Sequence, residues 1–309
     1  MRIAKLVFIV LMLVAAANAA ASGHGRAKQF EAAVESAMAG RQGSAVVLDV
    51  KSGRVIGSYN LRSAATRVAT PGSAIKPFVL QSLLEAKRID GNTTFACRRV
   101  LTIASHHIDC THPEAVGMLT APDALAFSCN SYFVAAAARF QRGELERRLQ
   151  QFGLASPTGL VQQEAVGHIA IANTLPERQL LAIGVQGIQV TPIAMAHAYR
   201  RLALQLLSSP AAVPAEVWAG LERSTAYGMG RLAQASTIKV AGKTGTASDA
   251  HDPHTHAWFA GFAPSDKPEI VVVVFLERGR GSIDAATVAS RIFAAYADSR
   301  KLRNTRGAR

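Results

Sequence analysis

Apolar positions recur along this chain at two different spacings, and the change of spacing divides it. Between residues 26 and 41, Phe30, Val34, Ala37 and Met38 lie three or four apart, which predicts an opening amphipathic helix. Ser44–Val50 and Arg54–Tyr59 are rich in strand-favouring residues, and Lys51-Ser52-Gly53 between them predicts a hairpin. From residue 74 to about 205 the pattern is mostly helical, with loops around 90–120 and 155–175. Strand character returns near Thr237–Ala241, at Ala257–Phe262 and in the strongly apolar run Ile270–Leu276, before a last helix at about 285–298. Strands at both ends with helices between them predict an α+β fold. Its antiparallel sheet would be built from both chain ends and flanked by helices, with an inserted, mostly helical lobe. No repeat or low-complexity linker interrupts the pattern, so residues 26–298 read as one unit with two lobes.

The extreme N-terminus follows a different rule. Arg2 and Lys5 precede the apolar stretch Leu6–Val14, and small residues follow up to Ala21. Basic, then apolar, then small is the pattern of a secretory signal peptide, so residues 1–21 are read as one. An uncleaved anchor is the lesser alternative, because the apolar segment is short for a membrane span. The expectation is an exported, periplasmic or extracytoplasmic protein, soluble after cleavage.

Composition supports a globular protein: 49% of the 309 residues are hydrophobic and 18% charged. The net charge of +13 invites a polyanionic partner, and residues 299–309, with Arg300, Lys301, Arg303, Arg306 and Arg309, read as a basic tail. Nucleic acid does not fit an exported chain whose other charges are scattered.

Candidate chemistry starts at Pro71-Gly72-Ser73-Ala74-Ile75-Lys76-Pro77. Pro71 and Gly72 break the chain, and Ser73 is placed to open a helix. Three positions on, Lys76 shares its face. A serine hydroxyl needs a base to become a nucleophile, and a lysine amine serves once its pKa is lowered. Ser128-Cys129-Asn130 follows a helical segment, and Lys243-Thr244-Gly245-Thr246 opens an edge-like strand. A hydroxyl and an amide in a turn can relay a proton and bind a carbonyl. A lysine and two hydroxyls on a strand can hold a carboxylate, with Gly245 permitting close backbone approach. Each motif alone is weak; the three in this order are not.

In these motifs the chain resembles the serine penicillin-recognising enzymes, specifically the transpeptidase domain of class B penicillin-binding proteins. Ala45–Asp49, Ala182–Gly187, Val190-Thr191-Pro192 and Ala257–Pro264 look like further segments of that domain. The resemblance implies a β-lactamase/transpeptidase-like fold and a peptidoglycan D,D-transpeptidase that cross-links stem peptides through a serine acyl-enzyme and is inhibited by β-lactams. It implies Ser73 as nucleophile, Lys76 as its base, Ser128 as proton relay and Asn130 as a support for Lys76 and the substrate amide. Lys243 would supply positive potential, and Thr244 and Thr246 would grip the substrate carboxylate. The oxyanion hole would use the backbone amides of Ser73 and Thr246. No cofactor is implied, and a glycosyltransferase is a possible partner. The domain pattern starts close to the leader, so a stripped-down transpeptidase is expected. A D,D-carboxypeptidase, a serine β-lactamase and a β-lactam sensor of the same fold remain alternatives.

Three cysteines complete the reading. In an oxidising compartment Cys97 and Cys110 are expected to pair as a disulfide; unpaired surface thiols are the next reading, and zinc held by the two and one of His106, His107 or His112 the last. Cys129, in the middle of its motif, is read as buried apolar filler. His251, His254 and His256 are weighed as a metal cluster and read instead as rim residues, so no metal ligand is assigned.

Overall fold

The computed structural model describes residues 27–113, 117–209, 212–249 and 252–307. The leader expected at 1–21 lies outside them. A helix over 27–38 (α1) leads into strands β1 (Gly43–Asp49) and β2 (Val55–Tyr59) and the short α2 (Leu61–Thr66). The lobe follows with α3 (Lys76–Glu85), α4 (Ala121–Ala126), α5 (Asn130–Ala137), α6 (Glu144–Gln151), α7 (Leu175–Ala182), α8 (Pro192–Ser208) and α9 (Ala215–Ala226). Three two-stranded pairs are set among these helices. They join β3 (Phe95–Ala96) to β6 (Met118–Leu119), β4 (Val100–Ile103) to β5 (His106–Asp109), and β7 (His168–Ile169) to β8 (Ile188–Gln189). The chain ends with β9 (Ala241–Asp249), β10 (Asp252–Ala263), β11 (Ile270–Leu276) and α10 (Ala286–Gly307).

The main sheet has the order β2-β1-β11-β10-β9, antiparallel throughout. Its centre is the meeting of the two chain ends, from Gly43 opposite Leu276 to Asp49 opposite Ile270. β11 is buried along its whole length. Val271, Val273 and Phe275 face the core shared with the helical lobe, whereas Ile270, Val272, Val274 and Leu276 face a second core under α1 and α10. A strand covered on both faces has no polar position to alternate with, hence the unbroken Ile-Val-Val-Val-Val-Phe-Leu.

Two details differ from the sequence reading. The strand expected at Thr237–Ala241 begins only at Ala241, so the Lys-Thr-Gly-Thr motif lies inside β9 rather than at its mouth. Residues 299–307 continue α10 instead of forming a separate tail. Arg and Lys are good helix formers and suit the negative end of a helix dipole, so nothing local ends the helix at 298. Among the described residues no helix is long and apolar enough to cross a membrane.

Candidate active site

Gly72–Ile75 form a 3₁₀ turn that runs directly into α3, with Pro77 in the first turn where its missing N–H costs nothing. The sheet grips this turn closely. Gly72 has φ +54°, and a Cβ there would stand 2.5 Å from the Thr246 carbonyl oxygen. From the other side, a Cβ on Gly245 would stand 2.4 Å from the Pro71 carbonyl oxygen. Both glycines are there because backbone meets backbone. Two buried side chains anchor the turn further: Trp258 Nε1 donates to the Thr70 carbonyl at 3.0 Å, and the Tyr199 hydroxyl to the Ala74 carbonyl at 2.8 Å. Ser73 is thereby held half-buried beside β9.

Lys76 is fully buried, and its ammonium is shared among partners on the Ser-Cys-Asn turn. Nζ donates to Asn130 Oδ1 at 2.6 Å, to the Ser128 carbonyl at 2.8 Å and to Ser128 Oγ at 3.4 Å. Lys243, also fully buried, donates from Nζ to the same Ser128 Oγ at 2.9 Å and to the Thr244 carbonyl at 2.8 Å. Ser128 holds its place with φ +58°, a left-handed conformation that non-glycine residues adopt at a cost of about 1–3 kcal/mol. Asn130 Nδ2 donates in turn to the Asp109 carbonyl at 2.9 Å, tying the end of β5 to the start of α5.

Loss of hydration lowers the Lys76 pKa to about 8. Lys243 is pushed well below the usual lysine range, first by desolvation and then by the neighbouring charge of Lys76. Burial thus makes a neutral amine accessible near neutral pH, while Ser128 stands between two amines able to exchange its proton. Four of the expected residues, Lys76, Ser128, Asn130 and Lys243, form one hydrogen-bonded chain. Ser73 lies outside that chain, one helical turn from Lys76. Catalytic hydrogen bonds commonly tighten only once substrate is bound.

On β9, Thr244 is buried, whereas Thr246 is exposed and its Oγ1 accepts from the Gly281 amide at 2.9 Å. β9 is the edge of the sheet, so its outer backbone groups are open to an extended peptide.

The cysteines correct one expectation and extend another. Cys97 and Cys110 are not bonded; all three thiols are free. Cys129 is buried in the hydrophobic core, as expected, and also forms one wall of a thiol cluster. Its sulfur lies 3.8 Å from Cys110 Sγ, and Cys97 Sγ lies 3.4 Å from His112 Nε2. Ligand atoms of Cys97, Cys110, Cys129 and His112 all fall within 4.8 Å of one another. Two thiolates on a tetrahedral zinc at about 2.3 Å stand about 3.8 Å apart, and a thiolate and an imidazole about 3.6 Å apart. A disulfide would bring two sulfurs to about 2 Å. The Cys110–Cys129 and Cys97–His112 separations are close to those of a metal site, so the four residues could hold an ion, and soft sulfur with imidazole suits zinc. No fixed Cys spacing signals it in sequence, because its members come from the residue after β3, the loop after β5 and the Ser-Cys-Asn turn.

Of the other histidine group, only two members are described. His251 lies outside the described residues, His254 is exposed, and His256 is buried with Nδ1 2.8 Å from the Glu277 carbonyl and Nε2 3.4 Å from Arg67.

A family model described as the penicillin binding protein transpeptidase domain matches residues 43–296. Stage V sporulation protein D of Bacillus subtilis is 26% identical over 272 residues, covering 76% of this chain and 42% of its own length. The peptidoglycan D,D-transpeptidase MrdA of Haemophilus influenzae is 27% identical over 300 residues, covering 78% of this chain and 46% of its own. The chain therefore spans less than half the length of these curated relatives. Among solved structures, Pseudomonas aeruginosa PBP2 superposes with a TM-score of 0.77 at 23% identity, over 87% of this chain and 74% of that one. A Burkholderia ambifaria structure titled as a peptidoglycan glycosyltransferase gives 0.76 at 24% identity, over 90% and 94%. These structural likenesses establish the fold.

Proposed function

This chain belongs to the penicillin-binding protein transpeptidase domain family, and on that premise we propose that it is a serine D,D-transpeptidase acting on peptidoglycan stem peptides outside the cytoplasm. The observation that carries the reading is the buried chain from Asn130 through Lys76 and Ser128 to Lys243, set beside Ser73. Neutral Lys76 takes the proton of Ser73 as its oxygen attacks the carbonyl preceding the terminal D-alanine. The tetrahedral oxyanion is met by the backbone amides of Ser73 and Thr246, and Ser128 passes a proton to the departing amine. An acceptor amine from a second stem then displaces Ser73, forming the amide cross-link and regenerating the hydroxyl. Lys243, Thr244 and Thr246, with close approach permitted by Gly245, hold the donor's terminal carboxylate. β-Lactams enter as donors whose acyl group stays on Ser73.

A serine β-lactamase is not favoured. Its rapid deacylation needs a base aimed at the ester, and among the described residues no carboxylate hydrogen-bonds to Lys76, Ser128, Asn130 or Lys243. Glu164 is engaged by its own loop, accepting from the Leu160 and Val161 amides at 3.0 and 3.2 Å. The Cys97, Cys110, Cys129 and His112 cluster would hold a zinc ion in a structural role. Cys129 lies between Ser128 and Asn130, so an ion there would brace the turn on which Lys76 depends. A glycosyltransferase partner fits the resemblance.

Intact-mass measurement after incubation with benzylpenicillin tests the proposal. One stable adduct on the wild-type protein and none on Ser73→Ala is the expected result, together with cross-linked product from a pentapeptide donor and an amine acceptor. Shortened tetrapeptide alone, at saturating acceptor, would make it a carboxypeptidase. Rapid loss of the adduct with antibiotic hydrolysis would make it a β-lactamase.

A further inference from the structure

A groove of about 580 Å³ opens beside the far end of the Lys-Thr-Gly-Thr strand. One wall is β9 and β10, with Thr246, Ser248 and Thr255; the others are the start of β5 and the β7–β8 pair. Among the described residues its ionisable lining consists of His106, His107 and His168, with no acid, lysine or arginine beside them. The three come from two separate parts of the lobe: His106 and His107 open β5, and His168 opens β7. His107 and His168 are exposed and His106 is half-buried. The Nδ1 atom of His106 is buried and has no hydrogen-bond partner.

An orphaned buried ring nitrogen leaves a hydrogen bond unmade within the protein, which a ligand can supply. A neutral imidazole offers one N–H, and a protonated one offers two with a positive charge. These three rings are not gathered closely enough to ligate one metal ion, and imidazole N–H groups with no described carboxylate in the lining suit an anionic oxygen ligand. The groove's position supplies the ligand's identity. A strand rises about 3.3 Å per residue, so Ser248 lies about 7 Å beyond Thr246. A donor peptide extended along the β9 edge, with its reacting carbonyl at Ser73, reaches the groove within two or three residues.

We propose that His106, His107 and His168 form an anion-recognising specificity subsite, taking a side-chain carboxylate of the donor stem peptide two or three residues before the scissile bond. The proposal rests on the transpeptidase reading and sharpens its substrate class: acidic stems are preferred to amidated ones.

The test uses two synthetic pentapeptide donors that differ only in a carboxylate or a carboxamide on that side chain. The ratio of kcat/KM for the two donors is measured in the wild-type protein, in His168→Gln and in the double variant His106→Gln/His107→Gln. Taking the ratio within each protein cancels any general loss of activity, and two variants on separate elements guard against one that fails to fold. Wild-type protein should prefer the carboxylate by about tenfold, and the preference should fall to near unity in the variants. A wild-type ratio near one, or a preference that survives both substitutions, overturns the subsite while penicillin still acylates Ser73. Failure of penicillin to acylate wild-type Ser73 would instead overturn the underlying transpeptidase reading, and the subsite with it.

Discussion

Lys243 donates to the hydroxyl of Ser128 at 2.9 Å, although 115 positions separate the two in the chain. That bond joins the edge of the sheet to the helical lobe across the candidate site. It also puts a second buried amine within reach of the Ser128 proton; burial lowers the pKa of both lysines, and the charge of Lys76 lowers that of Lys243 further.

The first prediction concerns pH. A base whose pKa is lowered to about 8 is mostly protonated at pH 6 and mostly neutral at pH 9. Only the neutral amine accepts the Ser73 proton, so acylation should rise with pH through a midpoint near 8. Lys76→Ala should lower the acylation rate about 10²–10⁴-fold and remove that limb. Stopped-flow acylation by a chromogenic cephalosporin between pH 5.5 and 9.5 measures both. A pH-independent rate in the wild-type protein would assign the base elsewhere.

Lys243 should behave differently from Lys76. It lies on the strand that would meet the substrate carboxylate, so Lys243→Ala should depress kcat/KM most for donors carrying that group. Thioester donors without a carboxylate should suffer less. Parallel steady-state assays on the two donor types separate the roles, and equal losses on both would show that Lys243 serves the proton chain alone.

Gly72→Ala should destabilise the protein through the backbone. The new methyl would be forced against the Thr246 carbonyl, and alanine disfavours φ +54°. A cost of about 1–3 kcal/mol is expected, which for a domain of this size lowers the Tm by roughly 2–10 °C. Differential scanning calorimetry measures the stability and penicillin labelling the site; a variant with unchanged Tm and labelling would mean that the contact relaxes freely.

The thiol cluster predicts a metal content. Protein purified without chelator should carry about one zinc per chain by plasma mass spectrometry, and Cys110→Ser should carry much less. Removing the ion should lower the Tm, because binding energy at a site formed only in the folded state contributes to stability. An unreduced mass two daltons below that of the reduced chain, with no zinc bound, would restore the Cys97–Cys110 disulfide.

Much of the architecture is legible without coordinates, because its causes are local. Ile270–Leu276 is unbroken in its apolar character and had to be a strand buried on both faces. Phe30, Val34, Ala37 and Met38 repeat at helical spacing, and Ser73 and Lys76 need only one turn of chain to share a face. The order of the three motifs names the chemistry before any distance is known. Tertiary structure decided what depends on residues far apart in sequence. Only packing could set Ser128 between Lys76 and Lys243, or move the start of β9 to Ala241, where pairing with β10 outweighs the poor strand propensity of Gly242 and Gly245. Packing also turned Cys129 toward Cys110 instead of leaving Cys97 to pair with it, and gathered His106, His107 and His168 around one groove. No sequence spacing encodes those arrangements, because each is set by how the sheet and the lobe close on one another.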